Sequence, residues 1–155
     1  MKMSAVLLAS LFASAMALPG AAWSQSASPG AAPAAADDNA AAIAAATESV
    51  TRWLALADAG NWSESWDQMA PASQAMATKP MFTGAMAAAR AQLGVVKSRK
   101  LRSAVFTRAL PGAPAGEYVL VQYDSQFANQ AAAVETLVPM RTPDGSWKVS
   151  GYNVR

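Results

Sequence analysis

Histidine and cysteine are both absent from this chain of 155 residues. Their absence excludes Ser-His-Asp triads, cysteine nucleophiles and most zinc and iron sites. It also excludes disulfides, so that stability has to come from packing alone. The sequence has neither a glycine-rich phosphate loop nor a dinucleotide-binding fingerprint. We therefore expect no catalytic residue from any motif, no metal site and no cofactor.

The charged residues are few and nearly balanced, with 12 Lys and Arg against 10 Asp and Glu. This balance argues against nucleic-acid binding. One basic run stands out in a stretch without acidic residues, and it consists of Lys97, Arg99, Lys100, Arg102 and Arg108. We interpret the run either as a contact for an acidic envelope component, or as a solvated outer face that protects sheet edges from aggregation. In the second case Arg102 pairs across strands with Asp124 or Glu135.

The first 24 residues have the pattern of a secretion signal. Lys2 supplies a positive charge, residues 3–22 are small and apolar, and the small residues around Trp23 predict cleavage before Gln25. We therefore predict an exported, periplasmic protein. If the segment 1–24 is not cleaved, it becomes a membrane anchor.

After the signal, the composition changes twice. Residues 25–39 are rich in Ala, Ser, Pro and Gly, which predicts a flexible tether. Residues 40–155 then read as a single domain. Apolar periodicity predicts helices over about 40–59, in a short stretch after Asn61, and after Thr78. Alternation and turn residues predict four strands, over 98–109, 117–127, 131–141 and 146–154.

Helices followed by strands predict an α+β fold with an antiparallel sheet, one face of which the first helix covers. Pro139 marks the third strand as an edge or a bulged strand, and Gly151 predicts a bulge or a close backbone approach in the last one.

Three segments resemble the bacterial family described as domain of unknown function 4019. They span residues 53–71, 94–140 and 144–155, and they include the closing Trp-Lys-Val-Ser-Gly-Tyr stretch. The resemblance implies a cystatin-like or nuclear-transport-factor-like cone, in which a curved sheet wraps a long helix. It implies no activity and brings no functional residues with it.

Strand alternation tests whether such a cone would hold a catalytic base. In the second strand the more apolar face is expected to point inward; it consists of Val119, Val121, Tyr123, Ser125 and Phe127. In the third strand we expect the inward face to consist of Val134, Thr136, Val138 and Met140. Both strand carboxylates, Asp124 and Glu135, then point outward and leave the interior without a base.

The aromatic residues offer weak candidates for ligand binding: Trp53, Trp62, Trp66, Tyr123 and Tyr152. The helical spacing of the three tryptophans favours the simpler interpretation that they pack in the core.

We therefore predict a non-catalytic module that binds a small apolar ligand or a protein partner, or that forms a homodimer through the outer face of its sheet. The alternative is a small cone-fold enzyme, isomerase or hydrolase-like, that uses Asp58 or Asp67 at the mouth of the cone opposite Tyr152. An inward carboxylate in a deep pocket would favour the enzyme over the binding module.

Overall fold

The computed structural model describes residues 32–155. The predicted signal segment 1–24, its cleavage site and the first part of the predicted tether lie outside the described residues.

In the described part of the chain four helices precede the strands: α1 (Ala32–Asp58), α2 (Trp62–Asp67), α3 (Pro71–Gln74) and α4 (Lys79–Leu93). Helices α2 and α4 agree with the two helices predicted after Asn61 and after Thr78, and α3 is an additional short helix. Helix α1 begins at Ala32 rather than near residue 40. Residues 32–39, which were predicted to belong to the flexible tether over 25–39, are therefore helical. The reason is that alanine has the highest helix propensity, and proline is tolerated in a first turn, where Pro33 lies.

The strands form one antiparallel sheet in the order β1 (Val96–Thr107), β2 (Tyr118–Phe127), β3 (Ala133–Arg141) and β4 (Trp147–Val154). The predicted α+β class is confirmed. The cone itself remains an expectation that the resemblance implies.

Helix α1 lies across the inner face of the sheet and contacts all four strands. Its buried stripe includes Val50, Leu54 and Ala57, which pack with Val121 and Leu137 of the sheet. Each buried Val or Leu side chain contributes about 1.5–3 kcal/mol. This packing fixes the end of α1, and therefore Asp58, over the sheet.

The two central strands differ in how well alternation predicted their faces. In β2 the prediction is confirmed, since Val121 and Ser125 are buried and Asp124 is exposed. In β3 it is wrong, because the buried residues are Ala133, Glu135, Leu137 and Pro139. Thr136, predicted to face inward, accepts a hydrogen bond from Gln122 on the opposite face. Glu135 is able to point inward because two arginines meet it there.

A β-bulge in β4 sets the direction of Tyr152. Val138 pairs with Gly151 whereas Pro139 pairs with Val149, so that Ser150 is an extra residue in β4. Because of this extra residue, Val149 and Tyr152 lie on the same face, although simple alternation would separate them. The predicted irregularity at Gly151 is thus confirmed.

The two edges of the sheet are covered to different extents. At β4, the Ala70 N–H donates to the Val149 carbonyl over 2.9 Å, and Ser73 Oγ donates to the Ser150 carbonyl over 2.7 Å. At β1, no other strand of the described chain pairs with the free edge.

Candidate functional site: a buried ion cluster

Six polar side chains converge between the sheet and the ends of two helices. Helix α1 supplies one, α4 supplies another, and each strand supplies one; they are Asp58, Arg90, Arg99, Ser125, Glu135 and Tyr152. We call this set the ion cluster. Its two carboxylates and two guanidinium groups balance one another in charge.

Glu135 is at the centre of the ion cluster and is fully buried. Its Oε2 accepts hydrogen bonds from Arg99 Nε and Ser125 Oγ, both at 2.5 Å. Its Oε1 accepts from the Tyr152 hydroxyl at 2.7 Å and from Arg99 Nη2 at 3.1 Å. The Arg90 guanidinium lies 3.5 Å from the same oxygen. The buried carboxylate is therefore compensated on both oxygens.

Asp58 closes the ion cluster at its more exposed end. Its Oδ1 accepts from Arg90 Nη2 at 2.6 Å, and its Oδ2 accepts from Arg99 Nη1 at 2.8 Å. Arg90 also donates to the Tyr152 hydroxyl at 2.9 Å and stacks over the Phe127 ring. Each arginine thus pairs with both carboxylates, and the end of α1 is joined to α4 and to the sheet.

The electrostatics of the ion cluster follow from burial and from these partners. Burial by itself would raise the pKa of Glu135, but the hydrogen bonds from Arg99, Ser125 and Tyr152 outweigh it and lower that pKa below its ordinary value. The pKa of Asp58 is lowered in the same way against burial, by Arg99 and then Arg90. Burial, together with the charge of Glu135, raises the pKa of Tyr152.

This arrangement is better suited to holding elements together than to moving protons. A general base needs a free acceptor and a pKa near the working pH. Both carboxylates have lowered pKa values and are engaged by arginines. Within the described part of the chain, every buried side-chain nitrogen and oxygen has a hydrogen-bond partner.

The predicted aromatic candidates pack in or against the core, and three of them also line small open pockets: Trp53 one of about 160 Å³, Trp62 one of about 260 Å³ and Tyr152 one of about 280 Å³. Trp53 is buried and donates from Nε1 to the Ser65 carbonyl at 2.9 Å, with its ring 5.2 Å from that of Tyr152. Trp62 and Trp66 are partly buried against the same core, and Tyr123 belongs to it.

The two predicted mouth carboxylates have different positions. Asp58 and Tyr152 do come together, but the Arg90 guanidinium binds both of them. Asp67 pairs with Lys79 on the surface at 2.7 Å.

The predicted basic patch divides into two parts. Arg99 is only 17% exposed and joins the ion cluster, so its placement on a solvated outer face is wrong. Lys97, Lys100 and Arg102 are exposed. Arg102 lies 3.5 Å from Asp124, which agrees with the predicted cross-strand pair.

Sequence reasoning missed Arg90 as a functional residue. A signal was present, because Arg90 follows Met86 by four residues and therefore continues one edge of the apolar stripe of α4. An arginine in such a stripe needs a buried acceptor.

The outer face of the sheet, opposite α1, contains an open groove of about 470 Å³. Its lining includes Ser98, Lys100, Asp124, Gln126, Val134 and Arg155. We call this the outer groove. It crosses the outer surface behind the ion cluster, because Lys100 is paired with Asp124 and Asp124 with Val134 across the strands.

Charges without an ion-pair partner in the described chain are separated by sign. The basic residues of this group all lie on strands or directly after β4: Lys97, Lys100, Lys148 and Arg155. The acids lie on α1 and α2 and in the β3–β4 turn: Asp37, Asp38, Glu64 and Asp144. The outer groove therefore has a positive character.

Metal-binding clusters and membrane-spanning helices are both absent from residues 32–155. No group of three or more acidic side chains there is arranged to hold a metal ion. None of the helices in this part of the chain combines the length and the apolar character that crossing a bilayer requires.

Comparison with known proteins gives one match. A family model with the description "Protein of unknown function (DUF4019)" matches residues 49–152. No curated protein and no solved structure is a significant match. The matched range contains all six residues of the ion cluster.

Proposed function

We propose that this chain, which belongs to the DUF4019 family, is a non-catalytic module that binds an acidic partner protein in the outer groove of its sheet. The observation that carries the proposal is the pair of cations, Lys100 and Arg155, that flank the outer groove without an ion-pair partner among the described residues. Such cations attract a partner of opposite charge and orient it during the encounter.

The inner face supports the non-catalytic part of the proposal. The alternative, a cone-fold enzyme, needs a free carboxylate beside Tyr152. Asp58 is held by Arg90 and Arg99, and Asp67 is held by Lys79. A small apolar ligand in the interior is also less well supported, because Trp53 and Tyr123 are occupied in packing.

The charge of the outer face favours an acidic partner over a second copy of the chain. In a symmetric dimer through this face, Lys100 and Arg155 would lie in an interface that is positive on both sides. Asp124 is the one acidic residue among those that line the outer groove, and it lies beside Arg102. If residues 1–24 direct export, the acidic partner is a component of the cell envelope.

Photo-crosslinking in the native cell envelope tests this proposal. A benzophenone amino acid replaces Gln126 in the outer groove, and in a matched control it replaces the exposed Thr51 on α1. We expect a discrete adduct from position 126 only, and we expect K100E combined with R155E to abolish it. The charge-matched control, R52E combined with K79E on the helical side, is expected to leave the adduct intact.

Two outcomes would count against the proposal. Adducts of equal yield from positions 126 and 51 would indicate non-specific contact. An adduct that survives charge reversal at Lys100 and Arg155 would show that these cations do not recruit the partner.

A further inference from the structure

The free edge of β1 is the longest unpaired backbone edge of the sheet. Strand β1 has 12 residues, while β4, the other edge strand, has 8 and is bridged by the segment around Ala70. An edge strand presents a row of N–H and C=O groups that another extended chain can pair with. Within residues 32–155, the chain thus covers the β4 edge and leaves the β1 edge unpaired.

The side chains of β1 also lack a cover. Lys100, Leu101 and Arg102 are exposed in succession, which means that both faces of the strand reach solvent there. Leu101 is 48% exposed and Val105 is 55% exposed. Apolar side chains at a free edge can pack against the residues of an added strand.

The charges of β1 determine which kind of strand can pair with its free edge. Lys97 and Lys100 have no ion-pair partner in the described chain, and the partner of Arg102 is the largely exposed Asp124. Pairing of β1 with β1 of a second copy would place cations opposite cations, which is unfavourable in a sheet. A strand that carries carboxylates would instead be attracted along this edge.

We infer that β1 accepts an extended acidic segment of the partner protein by strand addition. The inference rests on the proposed function and adds the mode of binding to it. Main-chain hydrogen bonds along the free edge provide affinity, and carboxylates of the segment lie beside Lys100 and beside Arg102, which is the extra residue of a bulge in β1. The same carboxylates approach the outer groove, since Lys100 lines it.

A set of synthetic peptides tests the inference on the full mature chain. The probe is a ten-residue peptide with alternating Glu and Val, and its binding is measured by fluorescence anisotropy. Two variants carry N-methyl groups on alternate residues, one on the Glu set and one on the Val set. Successive N–H groups of a strand point to opposite edges, so that in strand addition only one set faces β1.

We expect one N-methylated peptide to bind about tenfold or more weakly and the other to bind like the parent, since only one loses hydrogen bonds to the protein. Backbone amide signals of β1 should shift on binding and those of β4 should not. A peptide with Lys in place of Glu is the charge control and should bind at least about tenfold more weakly.

The other outcomes separate the two proposals. If both N-methylated peptides bind like the parent, or both lose affinity equally, strand addition is overturned while binding by charge stands. If the acidic peptide does not bind although the groove adduct forms in the envelope, strand addition by such a segment is also overturned. If the adduct is absent as well, the proposed function fails with it.

Discussion

Asp124 and Glu135 lie on neighbouring strands of one sheet, and their surroundings differ in every respect. Glu135 faces inward, is fully buried and accepts hydrogen bonds from Arg99, Ser125 and Tyr152. Asp124 faces outward, is 59% exposed and has Arg102 at 3.5 Å. The same kind of group therefore holds the fold together on one face, while on the other it lines the outer groove beside Arg102.

Removing the inner charge should have the largest effect. The variant E135Q leaves Arg90 and Arg99 with only Asp58 to balance them, and breaking a buried ion pair in this way costs about 3–5 kcal/mol. Urea unfolding followed by circular dichroism measures the loss. The matched control D124N removes a charge from the outer face and should change stability by less than about 0.5 kcal/mol.

The comparison between the faces would break down if the two variants were equally stable. If E135Q does not fold at all, the same contrast can be made with S125A, which removes one donor to Glu135 and should cost about 1–3 kcal/mol.

Acid should remove the stabilisation that the two carboxylates of the ion cluster provide. The pKa values of Asp58 and Glu135 are lowered in the folded protein from ordinary values of 3.8 and 4.5, because the arginine contacts outweigh burial. Their contribution to stability is therefore complete above the ordinary values, and it is lost as the pH falls through them towards the lowered values. Urea midpoints at a series of pH values from 7 to about 2 measure this loss.

In the variant E135Q, the acid-dependent loss should be smaller than in the parent chain, because one of the two titrating groups is gone. An unchanged acid dependence in this variant would show that the carboxylates of the ion cluster do not control acid stability.

The smallest effect is expected for the outer ion pair. Arg102 and Asp124 are 53% and 59% exposed, so the interaction is screened by water, and R102A should change stability by no more than about 0.5 kcal/mol. A double-mutant cycle of R102A with D124N should give a coupling energy of less than about 1 kcal/mol. A coupling as large as that expected within the ion cluster would remove the distinction between the two faces.

The element order could be predicted from sequence because each element has a local signal. The apolar stripe of α1 and the Pro-Asp-Gly turn before β4 can each be recognised without reference to the rest of the chain. The alternation of β2 was equally clear, because Val119, Val121 and Tyr123 contrast with Gln122 and Asp124.

The ion cluster could not be predicted in this way, since it depends on partners far apart in the chain. The alternation of apolar and polar residues assigns Glu135 to the outer face, because that argument assumes that a carboxylate remains in contact with water. Burial became favourable only because Arg90 and Arg99 arrive from α4 and β1, 45 and 36 residues away. Tyr152 was correctly associated with Asp58, but the arginine that joins them was missed.

The bulge at Ser150 has a consequence for how this chain can vary in length. Because Ser150 has no partner of its own in β3, deleting it would make Val149 and Gly151 adjacent opposite Pro139 and Val138, and the regular strand that results would still turn Tyr152 towards Glu135. A substitution at the half-buried Ser150 does not change the length of β4, so Val149 and Tyr152 stay on the same face of the sheet. In a comparison of relatives, a one-residue gap at position 150 is therefore compatible with the same interior, even though β4 is one residue shorter.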